Sequence, residues 1–189
     1  MATGAALRLQ PDFVLVMGVC GAGKSTVGKA IAERTDGRFI EADEYHPEEN
    51  IKLMSAGRPL TDAERWPWLA ALARAASDTH AQGKKPVIIA CSALKRRYRD
   101  FLRGELGSLT ILHLSGSREL IGERLAARRS HFMPPALLDS QLADLEELAD
   151  DEGGIALPVN EDPMELVARA CDLLGLPKTM AMNVEGGAA

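Results

Sequence analysis

The sequence predicts a three-layer α/β fold in which helices flank a five-stranded parallel sheet. Short apolar runs typical of buried strands alternate with segments whose apolar residues recur at helical spacing. This alternation favours parallel strands joined by right-handed helical crossovers. Strands are expected at 13–17, 38–41, 87–91, 109–114 and 155–159. Helices are expected at 24–35, 47–55, 61–80, 93–103, 118–129, 136–149 and 163–174.

The length of 189 residues predicts a single domain, which we place at 12–176. Residues 1–11 are expected to form a flexible lead, and residues 177–189 a disordered tail. The formal net charge of −5 argues against a nucleic-acid partner, because nucleic-acid binders usually carry a basic excess.

The sequence also predicts a protein without a membrane partner. No apolar run approaches the roughly 20 residues needed to span a bilayer, and residues 1–11 lack the apolar core of a signal peptide. Cys20, Cys91 and Cys171 lie far apart and indicate neither a disulfide framework nor a metal-ligand pair. We therefore expect a cytoplasmic location.

A glycine-rich loop follows the first predicted strand. Its residues are Gly18-Val19-Cys20-Gly21-Ala22-Gly23-Lys24-Ser25, and Thr26 comes next. Gly, four residues and Gly-Lys-Ser is the spacing of a phosphate-binding P-loop, and here it lies between a strand and a helix as that motif requires. Glycine lets backbone N–H groups approach phosphate oxygens, and the helix N-terminus adds further donors. The loop therefore predicts a P-loop NTPase fold that binds ATP, with Lys24 reaching the β- and γ-phosphates and Ser25 ligating Mg²⁺.

Other strand ends narrow the class of P-loop protein. No Asp-x-x-Gly pattern directly follows a predicted strand and no Asn-Lys-x-Asp pattern occurs, although a GTPase should show both. Strand three ends Ala90-Cys91-Ser92 without the terminal Asp of a Walker B element. This favours the kinases of small metabolites and nucleotides. Asp43, just past strand two, is placed to accept or orient the proton of an acceptor hydroxyl. Taken alone, it could also be a helix cap or a loop carboxylate.

Several separate motifs follow one another along the chain, at 43–50, 57–62, 65–69, 91–100 and 124–133. Together they resemble the gluconokinases and occur in the same order as in that family. The resemblance runs from about residue 14 to residue 174, with Ala42 and Glu64 as small departures where many relatives have Gly and Asp. It implies ATP-dependent phosphorylation of D-gluconate on its 6-hydroxyl, which gives 6-phosphogluconate, and it implies a homodimer.

Gluconate is a polyol with one carboxylate, so its site needs a fixed cation at one end. Arg65, beside a tryptophan-proline pair, is suited to bidentate carboxylate binding. Lys95 and Arg99 are one helical turn apart and are expected to face the same side and bind an anion, although a solvated helix face is the alternative. His46 is expected to donate to a polyol hydroxyl, or else to pack within its loop.

Arg124 and Arg128 are four residues apart in one predicted helix. In related kinases this arrangement places one arginine over the adenine and another in a lid over the phosphates, and we expect that lid at about 124–140. An exposed, arginine-rich helix end stabilised by the helix dipole is the alternative.

Two competing functions remain open at the level of the sequence. One is a P-loop kinase for another small acceptor, such as shikimate or a nucleoside monophosphate. The other is a regulatory nucleotide-binding module that turns over slowly. ADP formation that depends on the acceptor distinguishes an enzyme from such a module.

Overall fold

A computed structural model describes residues 10–127 and 135–176. Within these residues five parallel strands form one sheet in the order β2-β3-β1-β4-β5. The predicted five-stranded parallel sheet is therefore confirmed. The strands are β1 (Phe13–Met17), β2 (Arg38–Glu41), β3 (Val87–Ala90), β4 (Leu109–Ser115) and β5 (Ile155–Pro158).

The described helices follow the predicted order, and several end earlier or begin later than predicted. They are α1 (Lys24–Thr35), α2 (Glu48–Ser55), α3 (Asp62–Ala81), α4 (Arg96–Leu106), α5 (Arg118–Ala126), α6 (Pro135–Asp144) and α7 (Pro163–Leu174). The helix expected from residue 93 begins at Arg96, because Ala93 has a positive φ of 39° and Lys95 is extended. The helix expected to run to residue 149 ends at Asp144. None of the helices described is long and apolar enough to cross a membrane.

Alternate residues of the central strand pack into two apolar layers. Val14 and Val16 face the layer formed with α1, α5, α6 and α7, whereas Leu15 and Met17 face the layer formed with α3 and α4. This alternation is the period-two geometry of a strand buried on both faces. The sheet is therefore the middle of three layers, as predicted.

The strand order decides where ligands can bind. The carboxyl end of β1 lies between those of β3 and β4, with β2 beyond β3. In open α/β sheets, ligands bind at the carboxyl ends of the strands. The loops after β1, β2 and β3 therefore meet at one edge, although they are far apart in the sequence.

Candidate active site

The glycine loop after β1 has the backbone that its sequence predicts. Gly18 and Gly21 have φ angles of +142° and +87°. A Cβ atom would lie 2.6 Å from the Leu114 carbonyl oxygen at Gly18, and 2.8 Å from Leu125 Cγ at Gly21. Glycine is thus required at both positions by conformation and by space.

The polar groups of the loop face the same edge of the sheet. Lys24, the first residue of α1, donates from Nζ to the Val19 carbonyl oxygen at 3.1 Å, which holds its ammonium group over the loop. The backbone N–H of Cys20 donates to Oε1 of Gln141 on α6 at 2.7 Å. A loop N–H group is therefore directed at an oxygen acceptor, as phosphate binding requires.

Glu41, the last residue of β2, is a site residue that sequence reasoning missed. Burial raises the pKa of its carboxylate, the neighbouring Ser25 hydroxyl lowers it, and the nearby charge of Asp43 raises it further. The sequence did contain a signal for Glu41, since it is the last residue of a predicted strand and lies two positions before Asp43. The described residues contain no group of three or more His, Cys, Asp or Glu side chains that could hold a metal ion. Ser25 and Glu41 nevertheless fit Mg²⁺, which often takes only one or two protein oxygens and completes its shell with phosphates and water.

The turn after β2 presents Asp43 to solvent. Asp43 lies in the short 3₁₀ turn Ala42–Tyr45, and its side chain is 84% exposed. Trp68 on α3 holds this turn, because its Nε1 donates to the Ala42 carbonyl oxygen at 2.6 Å. Asp43 Oδ1 lies 4.0 Å from His46 Nε2. The exposed Asp43 carboxylate thus lies on a turn that follows β2 and is held in place by Trp68.

His46 is both packed and polar, so the two sequence interpretations are not exclusive. Its ring stacks on Trp68 with a centroid distance of 4.1 Å, and burial lowers its pKa. The Asn50 amide nitrogen donates to the Glu64 carbonyl oxygen at 2.8 Å and lies 3.4 Å from His46 Nδ1. Nδ1 of the ring therefore faces the Asn50 amide, and Nε2 faces Asp43.

Arg65 on α3 and Lys95 before α4 converge on one point. Asp144 Oδ2 lies 3.6 Å from Arg65 Nη2, and Asp144 Oδ1 lies 3.0 Å from Lys95 Nζ. Arg65 Nη1 also donates to the Tyr98 hydroxyl at 3.0 Å. A small cavity of about 30 Å³ opens beside these groups. Its lining residues are Arg65, Trp68, Ser92, Leu94, Tyr98, Gln141 and Asp144.

The expectation that Arg99 binds the substrate beside Lys95 is wrong. The Arg99 side chain has no solvent exposure and pairs with both carboxylate oxygens of Glu152, at 2.6 and 2.8 Å. Its Nη1 donates to the carbonyl oxygens of Leu94 and Glu146 at 3.0 and 3.1 Å. Lys95 and Arg99 were expected to face the same side because residues one turn apart in a helix are neighbours. The helix begins only at Arg96 and Lys95 is extended, so the two side chains do not share a helix face.

The two remaining arginines have different outcomes. Arg124 donates from Nη2 to the Val159 carbonyl oxygen just after β5, so its guanidinium lies at the carboxyl edge of the sheet. Arg128 lies outside the described residues, as do 128–134 of the predicted lid, 1–9 of the predicted lead and the predicted tail 177–189. The adenine and lid roles stay predictions.

Comparisons with known proteins show the family to which the chain belongs. The family described as "AAA domain" matches residues 13–148. A gluconokinase of Gluconobacter oxydans (strain 621H) is 43% identical over 157 residues, which is 83% of this chain and 88% of that protein. A solved gluconokinase from Sinorhizobium meliloti 1021 superposes with a TM-score of 0.80 at 45% identity, over 89% of this chain and 94% of that chain.

A shikimate kinase from Bacteroides thetaiotaomicron superposes with a TM-score of 0.61 at 19% identity, over 87% of this chain and 98% of that chain, and shows the fold alone. The gluconokinase relatives share far more of the sequence over a similar fraction of the chain. By its P-loop architecture and these similarities, the chain belongs to the gluconokinase family of P-loop kinases.

Proposed function

We propose that the protein transfers the γ-phosphoryl group of ATP to the 6-hydroxyl of D-gluconate, giving 6-phosphogluconate and ADP. The observation that carries the proposal is the position of the cation pair Arg65 and Lys95. Both cations pair with the Asp144 carboxylate beside a cavity lined by Trp68, and the Trp68 indole also holds the turn that bears Asp43. A carboxylated polyol needs this combination of an anion subsite and a base near the phosphate loop.

The nucleotide side of the reaction uses the loop 18–26. Its N–H groups and Lys24 are expected to bind the phosphates and to stabilise the charge of the transferring group. Ser25 and Glu41 would hold Mg²⁺, which neutralises phosphate charge when bound. Arg124 of α5, whose guanidinium donates to the Val159 carbonyl oxygen just after β5, is expected to cover the adenine.

On the acceptor side, charged residues are proposed to contact both ends of the linear gluconate molecule. Arg65 and Lys95 bind the carboxylate of gluconate. His46 Nε2 donates a hydrogen bond to a hydroxyl oxygen in the middle of the substrate. Asp43 then accepts the proton of the 6-hydroxyl as its oxygen attacks phosphorus. Asp43 is suited to this step because its carboxylate is exposed and its turn is held by Trp68.

A coupled assay of ADP release tests the function directly. We expect D-gluconate with Mg·ATP to raise the rate of ADP formation far above the rates with glucose, shikimate or AMP. A rate that is equal for all acceptors would point to a slow nucleotide-binding module. A preference for shikimate or AMP would instead favour the other kinase class.

Replacing Arg65 with alanine is expected to raise the KM for gluconate roughly 10- to 100-fold with a much smaller change in kcat. The loss corresponds to one charged hydrogen-bonding group, worth about 1.5–3 kcal/mol. Steady-state kinetics at saturating ATP measure both constants. Arg74→Ala is the matched control, because Arg74 is an exposed arginine of the same helix. If Arg65→Ala lowers kcat and leaves KM unchanged, the assignment of Arg65 to the carboxylate subsite is incorrect.

The cytoplasmic location and the homodimer belong to this proposal as well. The location is supported by the sequence-based expectation for the three cysteines. The dimer follows from the family resemblance. Light scattering on the purified full chain is expected to give twice the chain mass of 20.3 kDa.

A further inference from the structure

Two carboxylates share the cation pair of the acceptor subsite. Asp62 Oδ1 lies 4.0 Å from Arg65 Nη1 and 3.8 Å from Lys95 Nζ. Asp144 lies closer, at 3.6 Å from Arg65 and 3.0 Å from Lys95. The two acids come from different helices, since Asp62 is the first residue of α3 and Asp144 is the last residue of α6.

Asp62 is held from several directions. The Tyr98 hydroxyl donates to Asp62 Oδ1, and Arg97 Nη2 lies 2.6 Å from Asp62 Oδ2. Tyr98 is itself buried and accepts a hydrogen bond from Arg65. Asp62 therefore orients Arg65 both directly and through Tyr98, as part of the wall of the subsite.

Asp144 has a different setting. Among the residues described, its ion pairs are those with Arg65 and Lys95, and its side chain is 30% exposed. It lines the cavity of about 30 Å³, which is room for about one water molecule. The Asp144 carboxylate thus bridges Arg65 and Lys95 in the way expected of a substrate carboxylate.

A second side chain of α6 makes a similar contact at the nucleotide side. Gln141, one helical turn before Asp144, places its Oε1 2.7 Å from the backbone nitrogen of Cys20 in the glycine loop. That N–H is a donor which a P-loop offers to a phosphate oxygen. One face of α6 thus places an amide oxygen at the phosphate loop and a carboxylate at the acceptor cations.

We propose that Asp144 is an internal competitor of the acceptor's carboxylate, whereas Asp62 is a positioning residue that holds the cations for it. The proposal rests on the proposed function, in which the acceptor is gluconate. Gluconate binds by displacing Asp144 from Arg65 and Lys95. The apparent affinity for gluconate is then reduced by the fraction of molecules in which Asp144 occupies the cations.

The test compares Asp144→Asn with Asp62→Asn, since each removes one negative charge from the same two cations. The Asp144 side chain is partly exposed, so its ion pairs are screened by solvent and each contributes modestly. Asp144→Asn is therefore expected to lower the KM for gluconate roughly three- to tenfold. Asp62→Asn is expected to leave this KM at the wild-type value or above it. Calorimetric titration of each full-length protein with D-gluconate should give the same order of affinities without turnover.

The control for α6 is Asp139→Asn, which removes a carboxylate that pairs with Arg118 on the outer side of the same helix. It should leave the KM unchanged. An equal fall of KM in Asp62→Asn and Asp144→Asn would show a bulk charge effect and overturn the proposal, as would an unchanged or raised KM in Asp144→Asn.

The wild-type protein separates this inference from the proposed function. If it phosphorylates gluconate and Asp144→Asn does not lower the KM, only the role of Asp144 is overturned. If the wild type neither binds nor phosphorylates gluconate, the proposed function is wrong and the competitor role is overturned with it.

Discussion

Replacing Asp43 with asparagine is expected to lower kcat for gluconate phosphorylation by about 10²–10⁴-fold, because an amide cannot take the proton of the attacking hydroxyl. ATP binding should be retained, since Asp43 lies on the turn after β2 and not in the glycine loop. The fold should also be retained, because the Asp43 side chain is 84% exposed and substitutions at exposed sites usually change stability little. Steady-state kinetics with gluconate and direct titration with Mg·ATP measure these two quantities separately.

Glu44→Gln is the control for Asp43→Asn. Glu44 is the next residue of the same 3₁₀ turn and is also exposed, so the variant removes an equal charge one position away. We expect it to keep a kcat close to that of the wild type. If Asp43→Asn keeps a kcat within a few-fold of the wild type, Asp43 is not the general base.

Replacing Arg99 with leucine is expected to lower the free energy of unfolding by about 3–5 kcal/mol, because Glu152 would remain buried without its partner. The Arg99 and Glu152 side chains are both fully buried, and Arg99 also serves the carbonyl oxygens of Leu94 and Glu146. Urea unfolding at pH 7 measures the loss. Arg96→Gln is the matched control, because Arg96 lies on the same helix in an exposed pair with Asp151, and the loss there should be far smaller.

The same pair predicts a pH dependence of stability. The hydrogen bonds from Arg99 lower the pKa of Glu152 from its usual 4.5. A carboxyl whose pKa is lower in the folded protein stabilises the fold fully at pH values above its pKa in the unfolded chain. This stabilisation is lost as the pH falls through the pKa of the carboxyl in the folded protein. The stability advantage of the wild type over Glu152→Gln should therefore be constant from pH 7 to about 5 and shrink below 4.5. An advantage that grows as the pH falls would contradict the ion pair.

The sequence by itself determined the features that depend on residues close along the chain. The alternation of apolar runs and helical patterns predicted the five parallel strands, because each element must bury its own apolar face. The glycine loop was predicted from its Gly-Lys-Ser spacing between a strand and a helix. The structure gives the physical reason for two of its glycines, since Gly18 and Gly21 have positive φ angles and no room for a Cβ atom. The site edge followed from the rule that the carboxyl ends of parallel strands bind ligands.

Only the tertiary structure decided which charges meet. Arg99 was expected in the acceptor site. In the structure it is buried elsewhere, where it pairs with Glu152 and donates to backbone carbonyl oxygens. Glu41 becomes a partner of Ser25 only when β2 lies beyond β3 in the sheet. Gln141 and Asp144 reach the glycine loop and the cation pair only through the packing of α6. No local pattern predicts such contacts, because a charged side chain is partnered by whichever distant residue the fold brings within hydrogen-bonding distance, and burial without that partner would be costly.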